Sequence, residues 1–136
     1  MTTENALAVA LLIDDNSIDN FIAKRIIEMT GFARRVVVTS SCVEALSYLS
    51  VHELQVNDLP AVIFLDIHMP LCDGFDFLER FNQMNESITS KCKIIILSSS
   101  NNPLDVERIQ GDDHVMLFMT KPISEGSLKE IRLKID

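Results

Sequence analysis

The sequence predicts an α/β domain: a doubly wound (βα)5 unit whose five strands form one parallel sheet. Three observations carry this. Its short apolar runs are continuous rather than alternating, as strands covered on both faces are. Between them lie segments with apolar residues at helical spacing. The two patterns alternate five times, which requires right-handed crossovers and helices on both faces of the sheet. The chain has 136 residues, 47% of them hydrophobic. That is enough for one well-filled domain over residues 1–136 and too little for two.

The runs are Leu7 to Ile13, Val36 to Val38, Ala61 to Leu65, Ile94 to Leu97 and Val115 to Met119. The second is the weakest, but it is wholly β-branched. Ile18, Phe21, Ile22, Ile26 and Met29 mark the first helix, with Gly31 as its stop. Val43, Leu46 and Leu49 mark the second, with Ser40 or Ser41 as its cap. Phe75, Leu78 and Phe81 mark the third, after Asp73-Gly74. A shorter fourth runs from Pro103 to about Gln110, and the fifth starts near Ser124 and carries Leu128, Ile131 and Ile135. Val51 to Pro60 and Asn85 to Cys92 read as polar connections.

Composition narrows the function. A net charge of −8, with no basic block longer than Arg34-Arg35, argues against direct nucleic-acid binding, which depends on neutralising phosphates. No apolar run reaches the roughly 18 residues of a membrane span. The start, MTTENALAVALLIDD, lacks the positive charge and cleavage site of a signal peptide. Cys42, Cys72 and Cys92 have no metal-type spacing, and an odd number suits a reducing compartment, so the expected location is the cytoplasm. Cys72 and Cys92 have no obvious base beside them and are expected to be ordinary small residues rather than nucleophiles. The four glycines form neither a P-loop nor a dinucleotide fingerprint.

In open parallel sheets, ligands bind beyond the carboxyl ends of the strands. Asp14 and Asp15 follow the first run, Asp66 the third, Ser98 to Ser100 the fourth, and Thr120-Lys121 the fifth. Singly each has a plain structural role: Asp15 or Asn16 as a helix cap, Asp66 as a turn, the serines as a loop, Lys121 as a solvated surface charge. Together they set three carboxylates, a hydroxyl and an ammonium on one rim. Carboxylates a few ångströms apart repel by about 4 kcal/mol per pair at an effective dielectric near 20. One lysine does not neutralise three acids, whereas a divalent cation with oxygen ligands does, and Mg²⁺ suits such an open site. A phosphoryl group there meets metal, ammonium and hydroxyl on three sides, as phosphoryl transfer requires.

These residues resemble the receiver domains of two-component response regulators over essentially the whole chain. The strongest piece is L-D-I-H-M-P-L-C-D-G, Leu65 to Gly74. The acidic pair Asp14-Asp15, Ser98 and Lys121-Pro122 follow in the family's order. The resemblance implies the CheY-like strand order 2-1-3-4-5. It implies that Asp66 accepts a phosphoryl group from a sensor histidine kinase or a histidine phosphotransfer protein. Asp15 would bind Mg²⁺ directly, Asp14 partly through water, and the backbone carbonyl of His68 would be a further ligand beside Asp66. Lys121 would contact Asp66 and then the phosphoryl group, while Ser98 and Phe118 would switch together. Output to a downstream protein would use the fourth helix, fifth strand and fifth helix, about residues 103 to 135. The protein would thus be a signalling switch that phosphorylates and dephosphorylates itself, and not a conventional enzyme. His68 and Ser100 would flank the path of attacking water, with the His68 ring expected to block it.

Ser98 replaces the commoner threonine and Ser99 the usual alanine. An aspartyl-phosphate phosphatase would place an acid two residues after the nucleophile, where His68 stands. A flavin binder would need aromatic and glycine-rich loops in place of an acidic rim, and a receiver that had lost phosphorylation would not keep the intact acids, Ser98 and Lys121. No DNA-binding or catalytic segment follows the fifth helix, so the chain reads as a stand-alone receiver or as one cut from a longer protein.

Overall fold

The computed structural model describes residues 6–99 and 102–135. Along the chain these form β1 (Leu7–Ile13), α1 (Ser17–Thr30), β2 (Ala33–Thr39), α2 (Cys42–Val51) and β3 (Val62–Asp66). Then come α3 (Gly74–Asn82), α4 (Glu86–Thr89), β4 (Lys93–Ser98), α5 (Pro103–Ile109), β5 (Val115–Thr120) and α6 (Glu125–Ile135). The strands lie in the order β2-β1-β3-β4-β5, and every neighbouring pair is parallel. This is the predicted α/β architecture in the predicted order.

The period-2 alternation of side chains divides the core into two layers. Leu11, Ile13, Ile63, Leu65, Ile94 and Ile96 face one way, against Ala45 and Leu49 of α2 and Phe77 and Phe81 of α3. Ala10, Leu12, Val62, Phe64, Ile95 and Leu97 face the other, against Ala23 and Ile27 of α1 and Leu128 and Ile131 of α6. The central strands are therefore covered on both sides, which is why their sequences run continuously apolar. β5 is an edge strand, and Val115 to Met119 are only partly buried there, less than a continuous apolar run suggests.

Local signals set the helix ends. Asn16 caps α1, its side chain accepting from the amides of Ile18 and Asp19, both at 3.0 Å. Gly31 ends that helix in the left-handed region at φ 70°. Ser41 caps α2, and Asp73 and Asp76 form a reciprocal capping box on α3.

Four sequence readings change. α1 is present, but its buried face is Asn20, Ala23 and Ile27, while Ile18, Phe21, Ile22 and Met29 are exposed. Small Ala23 lets the helix approach the sheet, and Asn20 is buried because its amide donates to the Asp14 carbonyl at 2.7 Å. The connection Asn85 to Cys92 holds a one-turn helix, α4, capped by Asn85. The predicted fourth and fifth helices are consequently α5 and α6. The connection before β3 contains a 3-10 turn, Val56–Asp58. Finally, Cys42 and Cys72 are joined as a disulfide, and only Cys92 is free. Their sequence separation of 30 conceals the contact, because the first residue of α2 lies beside the β3–α3 loop, with the Cα atoms 5.8 Å apart.

That loop returns on itself tightly. The Gly74 amide donates to the Ile67 carbonyl at 3.1 Å. A Cβ on Gly74 would stand 2.6 Å from the Cα of Ile67, a backbone atom with no freedom to yield. Gly74→Ala is expected to destabilise the fold by about 1–3 kcal/mol, the usual range for overpacking. Urea unfolding measures it, and an unchanged midpoint would contradict this account of the loop.

Candidate functional site

The sheet register builds the site. β1 pairs with β3 through Ile13 and Leu65, so the next residues, Asp14 and Asp66, emerge side by side at the carboxyl edge. β4 ends at Ser98, paired with Thr120, and the Lys121 amide donates to the Ser98 carbonyl at 2.8 Å. Residues more than 100 positions apart thus meet on one rim. Asn16, not Asp15, supplies the α1 cap.

Asp14 and Asp66 are buried and Asp15 is exposed. One carboxylate oxygen from each of the three lies within 4.8 Å of the others, a donor set able to hold a metal ion. All three donors are hard oxygens, and the exposed Asp15 leaves the site open to water, as suits Mg²⁺. Asp14 is fixed from both ends: its Oδ1 accepts from the Asn16 amide at 2.9 Å and its carbonyl from Asn20. The Asp66 Oδ1 accepts from the His68 amide at 3.2 Å.

Lys121 Nζ lies 2.6 Å from Asp14 Oδ2, 2.9 Å from Asp19 Oδ2 and 3.6 Å from Asp66 Oδ2. Its nearest partners are therefore Asp14 and Asp19, with Asp66 third. Burial works to lower the Lys121 pKa, but the bonds to Asp14 and Asp19 and the charges of Asp66 and Asp14 outweigh it and raise it above the ordinary lysine range. Burial pushes the Asp66 carboxyl up to about 6; the His68 amide and Lys121 oppose this, and the Asp14 charge adds to it.

The remaining expected residues fall around this centre. Ser98 is fully buried at the end of β4. Phe118 is half-buried on β5, paired in register with Ile96 and packed on the core layer facing α2 and α3. The His68 ring is engaged by α5, its Nε2 lying 3.1 Å from Asp105 Oδ2. Ser100 lies outside the described residues. Asp19, Asn20 and Asp105 were not foreseen. Asp19 and Asp105 each carry one signal, an acid in the first turn of a helix that starts after a rim segment.

The whole arrangement is that of a receiver. The chain matches the family model "Response regulator receiver domain" over residues 10–132 and belongs to that family. A two-component response regulator from Cytophaga hutchinsonii superposes with a TM-score of 0.88 at 28% identity, covering 96% of this chain and 97% of that one. Chemotaxis response regulator CheY4 of Vibrio cholerae shares the fold, with a TM-score of 0.75 at 18% identity over 96% of this chain and 100% of its own. By sequence, the chain is 29% identical to a probable methanogenesis regulatory protein, FilR2, of Methanothrix harundinacea, over 89% of this chain and 76% of that protein. It is 27% identical to hybrid signal transduction histidine kinase L of Dictyostelium discoideum, over 92% of this chain but only 7% of the kinase. Receiver domains are signalling switches that partner with histidine kinases. Among the described residues no helix is long and apolar enough to cross a membrane.

The Asp66 shift has a consequence for stability. Its folded pKa of about 6 lies above an unfolded value of about 3.9. The stability it contributes is therefore complete below pH 4 and lost as pH rises through 6. In chelator, Asp66→Asn is expected to be more stable than the parent at pH 7.5 by up to about 3 kcal/mol, the gain vanishing towards pH 4. Denaturant unfolding across that range checks it; a pH-independent difference would contradict the raised carboxyl.

Proposed function

We propose that this receiver is a phosphorylation-dependent switch in a two-component phosphorelay, with Asp66 as the phosphoacceptor. The observation that carries the reading is the position of Asp66: buried at the end of the central strand, with two further carboxylates in contact range and Lys121 Nζ 3.6 Å away. A carboxylate oxygen of Asp66 forms a bond to phosphorus as the bond to the donor histidine breaks. The donor is a sensor histidine kinase or a histidine phosphotransfer protein. Ile18 and Phe21, exposed on α1 beside the acids, support docking of such a protein partner there.

Asp14, Asp15, Asp66 and the backbone carbonyl of His68 are the ligands proposed for Mg²⁺. When bound, Mg²⁺ supplies the charge cancellation that lets a phosphate approach three acids. The Lys121 ammonium is bonded to Asp14 and Asp19, with Asp66 3.6 Å away, and is placed to hold phosphoryl oxygens. Ser98 offers its hydroxyl to the phosphoryl group, and Phe118 follows it inward. The face made by α5, β5 and α6 then presents the altered surface to a downstream protein; the light anchoring of α5, which buries Ile109 alone, supports this. The same acids serve autophosphorylation from small donors and autodephosphorylation by water. The protein acts in the cytoplasm without binding nucleic acid or membrane directly. In that compartment Cys42 and Cys72 would stand as neighbouring thiols, and the crosslink is their oxidised form.

Incubation with acetyl phosphate and Mg²⁺ is expected to add one phosphoryl group by intact mass. Asp66→Asn or excess chelator should abolish the gain, and Asp15→Ala should reduce it by weakening Mg²⁺ binding. Undiminished labelling of Asp66→Asn would overturn the assignment.

A further inference from the structure

α5 is seven residues long and buries Ile109 alone. Two further side-chain ties to the β3–α3 side are present among the described residues. The Arg108 guanidinium stands 3.8 Å over the Phe75 ring, and Asp105 Oδ2 lies 3.1 Å from His68 Nε2. Asp105 is well covered, its side chain 14% exposed, whereas the His68 side chain is 55% exposed. His68 is also tied to the acceptor, since its amide donates to Asp66 Oδ1. One residue therefore touches Asp66 through its backbone and α5 through its ring.

We propose that the His68–Asp105 pair is a latch that holds α5 in its resting position and is weakened by phosphorylation of Asp66. This rests on Asp66 being the phosphoacceptor. A carboxylate only accepts, so Nε2 carries the hydrogen of this bond. The phosphoryl group replaces the single charge of the carboxylate with nearly two negative charges, spread over three strong acceptor oxygens beside the loop. These charges repel the Asp105 carboxylate and compete for the His68 N–H. The bond is thus stronger before phosphorylation than after. An element that differs in strength between two states biases the equilibrium towards the state in which it is stronger. By linkage, cutting the latch favours the phosphorylated arrangement and tightens binding of a phosphoryl mimic. His68 and Asp105 are positioning residues in this scheme; neither side chain needs to touch the reacting atoms.

The test uses beryllofluoride with saturating Mg²⁺ as the phosphoryl mimic, on the full chain. Asp105→Ala and His68→Ala are each expected to bind it about two- to fivefold more tightly than the parent, the range for one partly exposed hydrogen-bonded pair. The double variant should gain no more than either single one, because both cut the same bond. Asp105→Ala should leave the affinity for Mg²⁺ alone within about twofold of the parent, since Asp105 is outside the ligand set. Hydrogen exchange of the α5 amides in the ligand-free protein should quicken in both single variants. Asp105→Asn, which keeps the side-chain volume, should shift in the same direction by less and guards against misfolding of the alanine variant. Unchanged or weaker beryllofluoride binding by Asp105→Ala and Asp105→Asn, or fully additive gains in the double variant, would overturn the latch while leaving Asp66 as acceptor. Failure of the parent to bind beryllofluoride at all would instead remove the acceptor reading, and the latch with it.

Discussion

A single ammonium group tethers the acidic end of this molecule. Lys121 reaches across 107 residues of sequence to Asp14 at 2.6 Å and is also bonded to Asp19 at 2.9 Å, with Asp66 next. Without that cation, two buried carboxylates would face each other at the edge of the sheet with their repulsion unanswered. With it, the edge still carries more negative than positive charge; burial above all, with the Asp14 charge adding to it, raises the Asp66 carboxyl to about 6. The three carboxylates on that rim form a donor set that could hold a metal ion. The fold accepts this cost because the rest of the sheet is densely apolar, with Ile63, Leu65, Ile94 and Ile96 completely buried directly behind the acids.

Much of this was legible in the sequence because parallel strands covered on both faces leave a pattern that tolerates little else. Once the order of strands and helices is known, the residue after each strand must lie on the rim, so Asp14, Asp66, Ser98 and Lys121 could be assembled without coordinates. What stayed hidden are contacts made across the fold by residues with no periodic signature. Asp105 sits in the first turn of a short helix, where an acid needs no reason beyond the helix dipole. Asn20 occupies a buried position on α1 that hydrophobicity assigns to its neighbours. The exposed Ile18, Phe21 and Ile22 mimic a core stripe, and only the packing of Ala23 and Ile27 shows which side of α1 faces inward. The Cys42–Cys72 contact joins two segments that are adjacent only because α2 begins beside the β3–α3 loop.

The β3–α3 loop gathers an unusual number of constraints into a few residues. It leaves Asp66 with the His68 amide bonded back to that carboxylate, turns through Leu71 in the left-handed region at φ 68°, and ends on the Asp73 capping box. Gly74 presses against Ile67, and Cys72 is bonded to α2. Such a loop presents the His68 carbonyl and ring from a defined backbone, so side chains there can vary without loosening Asp66.

The crosslink at Cys72 also changes how the chain carries force. Cys42 and Cys72 bracket all of β3, including Asp66, in a covalent ring with a sequence separation of 30. If an oxidised molecule is drawn out by its two ends, tension passes from Cys42 to Cys72 through sulfur and bypasses the ring. At about 3.3–3.6 Å per residue, the extended chain falls roughly 100 Å short of the reduced one. The aspartate at the centre of the sheet then lies on the one segment that a pull never straightens.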